Sequence, residues 1–150
     1  MPNLAHDSKW QRANTLFEGS KNGADIALVG VPAFETCLSK SSANLTPIAI
    51  RAALSRYSTY SGTDEIELNG LAFSDLGDIA NPDHEDGEKR VAAFLADVRE
   101  NYKLLIALGG DNSITYSVAA GLWPDLSKIG LITLDAHHDL RDGISNGSPV

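Results

Sequence analysis

Two segments of this chain, 103–108 and 129–134, are nearly continuous in aliphatic residues. A strand with one wet face alternates apolar and polar side chains, whereas a strand covered on both faces does not. Both segments therefore read as parallel strands held between two layers. Shorter apolar runs at 26–31 and 71–74 bring the expected strands to four. Helical signals fall between them. Thr46 and Pro47 offer an N-cap and a first-turn proline ahead of 48–54. Residues 86–101 carry Val91, Phe94, Leu95 and Val98 on one amphipathic face. Ser113 can cap a helix over 114–120 that stops at Gly121. Residues 8–19 read as a peripheral helix with Trp10 packing inward. Strands alternating with helices predict a three-layer α/β/α architecture around a mainly parallel sheet. The chain reads as one α/β domain over 1–150, with 1–24 as a peripheral N-terminal segment.

Composition narrows the function classes. A net charge of -8 over 150 residues disfavours nucleic acid and anionic membrane, which need clustered Lys and Arg. No apolar run reaches the ~20 residues of a membrane span. The start of the chain has neither a basic region nor an apolar core, so no signal peptide is expected. The single cysteine, Cys37, excludes an internal disulfide and suits a reducing, cytoplasmic setting. Without a local motif it is expected to be a small packing residue rather than a nucleophile.

Two motifs carry chemistry. Asp135-Ala136-His137-His138-Asp139 follows the apolar run 129–134 directly. In an extended segment alternate side chains share a side, so Asp135, His137 and Asp139 can converge. Open α/β sheets place ligand sites at the carboxyl ends of their strands. Carboxylate oxygens with an imidazole suit a hard divalent cation, so the residues themselves propose a metal site. The second motif, Gly109-Gly110-Asp111-Asn112-Ser113, also ends a strand and opens a helix. A phosphate cradle at this turn is disfavoured, because Asp111 would repel phosphate and no lysine follows. A plain strand-to-helix turn remains a reading of the motif alone. Beside a carboxylate cluster on a neighbouring strand, a ligand role is favoured.

Taken in order, the two motifs resemble the first two metal motifs of the ureohydrolase superfamily, which includes arginase, agmatinase, guanidinobutyrase and formimidoylglutamase. Residues 25–32, 45–54 and 75–78 resemble the family's first strand, its following helix and the turn after its second strand. The resemblance implies an arginase-like fold and two Mn2+ ions. Asp135 would bridge them, His137 would bind one and Asp139 the other. Asn112 stands where arginases and agmatinases usually carry a histidine ligand, and its amide oxygen is the weaker donor. Asp111 would either orient metal-contacting groups by hydrogen bonds or serve as a turn residue. His138 reads as packing or supporting rather than ligating, and His6 and His84 as solvated. The family's third motif, a later Asp-x-Asp pair, does not occur in these 150 residues. The chain is therefore expected to be the N-terminal part of a longer domain and inactive as given.

The same resemblance implies hydrolysis of linear C–N bonds in amidines or guanidines. The ion pair would activate water, and Asp139 would be catalytic, accepting a hydrogen bond from the attacking oxygen and passing a proton to the leaving amine. Asn146 aligns where arginases carry a proton-shuttling histidine, which argues against arginase. Arg141 suits a substrate carboxylate, with an ion pair to Asp142 as the alternative. Asn146 and Ser148 would either bind substrate or shape the turn. The substrate most in keeping is N-formimidoyl-L-glutamate, hydrolysed to L-glutamate and formamide. An agmatinase or guanidinobutyrase, or a metal-poor non-catalytic relative, are the alternatives. A homo-oligomer, trimer or hexamer, is implied by resemblance only.

Overall fold

The computed structural model describes residues 10–18, 23–37 and 39–136. Strand β1 (Ile26–Val31) opens the sheet, and helix α1 (Thr46–Leu54) follows it. A two-stranded antiparallel ribbon of β2 (Tyr60–Ser61) and β3 (Ile66–Glu67) leads into β4 (Phe73–Asp78). Helix α2 (Gly87–Val98), strand β5 (Leu104–Gly109) and helix α3 (Ile114–Leu122) complete the order. The main sheet is parallel, in the order β4-β1-β5.

The central strand explains the sequence pattern. Ala27, Val29 and Val31 are fully buried and Leu28 nearly so, because β1 is paired on both edges and covered on both faces. On one face Val29 and Val31 form the core with Ile79 and with Val91 and Leu95 of α2. Ile114, Val118 and Leu122 of α3 pack around that cluster. Gly30 points to the other face, where Pro47 of α1 approaches. A Cβ at Gly30 would overlap the Asp78 carboxylate, so the close approach requires glycine. The layers are thus those expected, with helices on both sides of a parallel sheet. Among the described residues no helix is long and apolar enough to cross a membrane.

The elements differ from expectation in instructive ways. β1 and α1 occupy the expected residues. Thr46 and Ser113 do not cap their helices through their side chains. Of the helix expected at 8–19, the described residues 10–18 form only a 3-10 turn, Ala13–Phe17, and Trp10 is exposed with the Arg12 guanidinium 4.5 Å above its ring. An exposed cation–π contact keeps the ring at the surface without burying it. β4 starts two residues late and runs on through Asp75 and Asp78, polar residues that the apolar pattern left out.

The largest departure is 129–134, expected as a fourth strand. It forms no ladder, and Leu131, Ile132 and Leu134 are 73%, 89% and 98% exposed. A strand apolar on both faces is stable only with a ladder partner and covering layers together. The described residues supply no layer to cover a strand beyond β5, whose own Leu104 and Ile106 are already partly bare.

Arg51 explains how β4 carries two carboxylates into the sheet. Its Nε and Nη2 donate to Asp75 Oδ2 and Oδ1 at 2.7 and 2.9 Å, while Nη1 reaches Asp78. Nη2 also donates to the Gly77 carbonyl at 3.1 Å. The register slips here, with Leu28 opposite Asp75 but Gly30 opposite Asp78, so β4 carries one extra residue as a bulge. Burial pushes the Asp75 carboxyl up, but Arg51 and the Gly77 N–H together outweigh it and hold the group below the usual carboxylate range. Asp75 in turn raises the Arg51 pKa, partly opposed by burial.

Two outcomes follow from this packing. Leu95, fully buried between α2 and the sheet, should lose about 2–5 kcal/mol on replacement by alanine, read from the denaturant midpoint. For Arg51→Ala, loss of a charged, bidentate hydrogen-bond donor should cost about 1.5–3 kcal/mol at neutral pH. Because the folded pKa of Asp75 is lowered, its contribution is complete above the unfolded value near 4 and fades as pH falls through the lower folded value. Denaturation curves from pH 7 to pH 2 should therefore show the stability gap between wild type and Arg51→Ala narrowing in acid. A gap independent of pH would disprove the pairing.

Candidate active site

Parallel strands all exit at one edge, so the loops following β1, β4 and β5 are brought together. Residues 32–37 follow β1, 79–86 follow β4, and 110–113 follow β5. The first and third are tied by main-chain bonds: Gly110 N–H donates to Val31 O at 3.0 Å, and Asp111 N–H to Ala33 O at 2.9 Å. A Cβ on Gly110 would overlap the Ala33 carbonyl, so only glycine permits this crossing.

Asp111 joins the loops through its side chain. One carboxylate oxygen accepts the Ser113 N–H at 3.1 Å and the Ser113 hydroxyl. The other accepts the Thr36 hydroxyl at 2.8 Å and the Cys37 thiol at 3.5 Å. Burial alone would raise its pKa, yet the bonds from Ser113, Thr36 and Cys37 outweigh it, and Asp111 titrates below the usual carboxylate range. The bond to Ser113 N–H is turn chemistry, as the turn-residue reading of Asp111 expects, and the Thr36 contact ties that turn to the loop after β1.

Asn112 follows on the exposed side of this turn, where its carbonyl accepts Thr115 N–H at 3.1 Å. Asp135 is exposed beyond 129–134. Both offer oxygen donors, which in kind suit a hard divalent ion such as Mn2+. Among the described residues no three His, Cys, Asp or Glu side chains gather as a metal-holding group. His137, Asp139, Arg141, Asn146 and Ser148 lie outside the described residues, as do His138 and His6. His84 is exposed, as expected for a solvated residue.

Three contributors went unnoticed in the sequence. The Asp83 carboxylate, on the loop after β4, accepts Phe34 N–H at 3.1 Å and Glu35 N–H at 3.3 Å. Thr36 and Arg51 complete the set. Local pattern carries no signal for them, because their partners lie 24 to 75 residues away. A cavity of about 270 Å³ opens at the same edge, lined by Thr36, Asp83, His84, Glu88, Lys89 and Ser113 among others. Loop chemistry therefore surrounds Asp111 and Asn112 from three strands.

Comparison with known proteins gives this edge a context. The family model described as Arginase family matches residues 24–150. A formimidoylglutamase of Halalkalibacterium halodurans is 35% identical over 132 residues, covering 83% of this chain and 41% of the relative. An agmatinase of Pyrococcus horikoshii is 34% identical over 122 residues, covering 79% and 42%. In structure, the Bacillus subtilis formimidoylglutamase superposes with a TM-score of 0.82 at 28% identity, over 99% of this chain and 48% of that one. A Trypanosoma cruzi formiminoglutamase with Mn2+ shares the fold at a TM-score of 0.78 and 23% identity, over 93% and 51%. The chain thus spans less than half the length of the curated relatives it matches. With a parallel sheet flanked by helices, glycine-rich and aspartate motifs in order, and a family match over most of its residues, this chain belongs to the arginase family.

Proposed function

We propose that the protein to which this chain belongs is a manganese-dependent hydrolase of linear C–N bonds, acting on N-formimidoyl-L-glutamate to yield L-glutamate and formamide. The observation that carries this reading is the delivery of Asp111-Asn112 to the carboxyl edge of the sheet, in a chain 35% identical to a formimidoylglutamase. Asn112, Asp135, His137 and Asp139 would hold two Mn2+ ions. Bound there, the ions would act as Lewis acids and lower the pKa of water toward neutrality. Asp139 would accept a hydrogen bond from the attacking water and pass a proton to the leaving amine. Arg141 would take a substrate carboxylate in bidentate fashion, and Asn146 and Ser148 would orient the substrate. For Asp135 to reach Asn112, residues 129–134 must be buried as a strand of a sheet larger than the three described strands. An agmatinase reading is favoured by the 34% identity to the Pyrococcus enzyme, but Arg141 suits a glutamate better than a cationic tail.

The test is a substrate panel on the complete protein with Mn2+. Formamide release from N-formimidoyl-L-glutamate is expected, and urea release from agmatine or 4-guanidinobutyrate would overturn the substrate. An inactive protein with no bound manganese would favour a non-catalytic relative. Replacing Asp135 by alanine should lower activity by more than about 100-fold. The change Asn112→His should tighten Mn2+ binding, measured by titration, because imidazole is the stronger neutral donor.

A further inference from the structure

We infer that Asp83 is a positioning residue of this site, which fixes the loop after β1 so that Thr36 holds Asp111 and, through it, the turn presenting Asn112. The inference rests on the reading of Asn112 as a metal ligand. Asp83 touches none of the proposed ligands. Its carboxylate accepts two consecutive main-chain N–H groups, from Phe34 and Glu35, 49 and 48 residues away in sequence. Charge-assisted bonds of this kind are stronger than neutral ones. They set the direction in which the next residue leaves, and that residue is Thr36, whose hydroxyl lies 2.8 Å from Asp111 Oδ2. Asp111 then fixes Ser113 through its other oxygen, so Asn112 is held between two restrained neighbours.

The far end of the relay is also anchored. Arg90 of α2 donates to the Asn81 carbonyl at 2.8 Å, and Gly87 N–H donates to His84 O at 2.7 Å. Gly87 is buried against the Pro82 carbonyl. The Asp83 loop is thus fastened to the start of α2, which packs on the core through Val91 and Leu95. Hydrogen bonds joined by short backbone steps link a core helix to the turn that bears Asn112, through the loops of all three strands. Such supporting contacts set ligand geometry, and losing one typically weakens metal binding by about 10- to 100-fold.

The test combines amide hydrogen exchange with Mn2+ titration on the complete protein as wild type, Asp83→Ala, Thr36→Val and a control, Asp86→Asn, which keeps a residue that tolerates the left-handed backbone there. Asp86 sits on the same loop and pairs with exposed Lys89. Exchange in Asp83→Ala should quicken by about tenfold or more at Phe34 and Glu35 and also at Ser113. Thr36→Val should quicken Ser113 and leave Phe34 and Glu35 protected. Both should weaken Mn2+ binding by about tenfold, and Asp86→Asn should change neither readout. Ser113 exchange that stays at the wild-type rate in Asp83→Ala, with Phe34 and Glu35 opened, overturns the inference. Should Asp83→Ala not fold, Asp83→Asn, which keeps one acceptor oxygen, and Thr36→Val decide the same point. A wild-type protein that takes up no manganese defeats the metal reading alone, because the response of Ser113 still decides the relay.

Discussion

Strand β1 is the constraint on which the molecule depends. Its six residues all pair with β5 and four of them also with β4, and helices cover both faces, so that Ala27, Val29 and Val31 lose all contact with water. A strand in that position can carry only apolar or very small side chains, and its direction sets that of both neighbours. Parallel pairing with β4 and β5 then forces three loops out at the same edge. The chemistry of the edge is a consequence of the burial beneath it.

Carboxylates at that edge serve different ends. Asp75 and Asp78 answer to Arg51, which lets a polar, bulged stretch of β4 stay paired beside the buried β1. Asp83 instead accepts N–H groups, and Asp111 a hydroxyl, from a loop distant in sequence. A carboxylate has room for several donors, so each can bind two segments together without a counter-charge. In a chain of net charge -8 the acidic residues at the sheet edge are therefore cross-links as well as charge. They bracket the segment that bears Asn112, a residue whose proposed role needs a fixed backbone and an exposed side chain.

The fate of 129–134 shows how far a strand depends on its surroundings. Its aliphatic content matches that of β5, yet β5 joins the ladder and 129–134 does not. The difference lies in what surrounds each. β5 has β1 beside it and α2 and α3 over Leu105 and Ala107. No described layer covers a further strand. Assembly of the Asp135 motif against Asn112 is thus tied to burial of the strand that precedes it, which makes the metal chemistry proposed here a property of the completed sheet.

By itself the sequence determined the alternation of strands and helices, the residues of β1 and α1, the apolar face of α2, and the two motifs in their order. All of these are short-range: a run of aliphatics, a repeat of three or four residues, a proline or a glycine acts on its own neighbourhood. The β2–β3 ribbon lay below that threshold, with two residues in each strand. Only the tertiary structure decided that Arg51 meets Asp75, that Asp83 meets Phe34, and that Thr36 meets Asp111. Those pairs are 24, 49 and 75 residues apart, and they form because β4, β1 and β5 are neighbours in space. Whether an apolar run becomes a strand is decided in the same way, since periodicity reports what a segment can bury and not what is present to bury it.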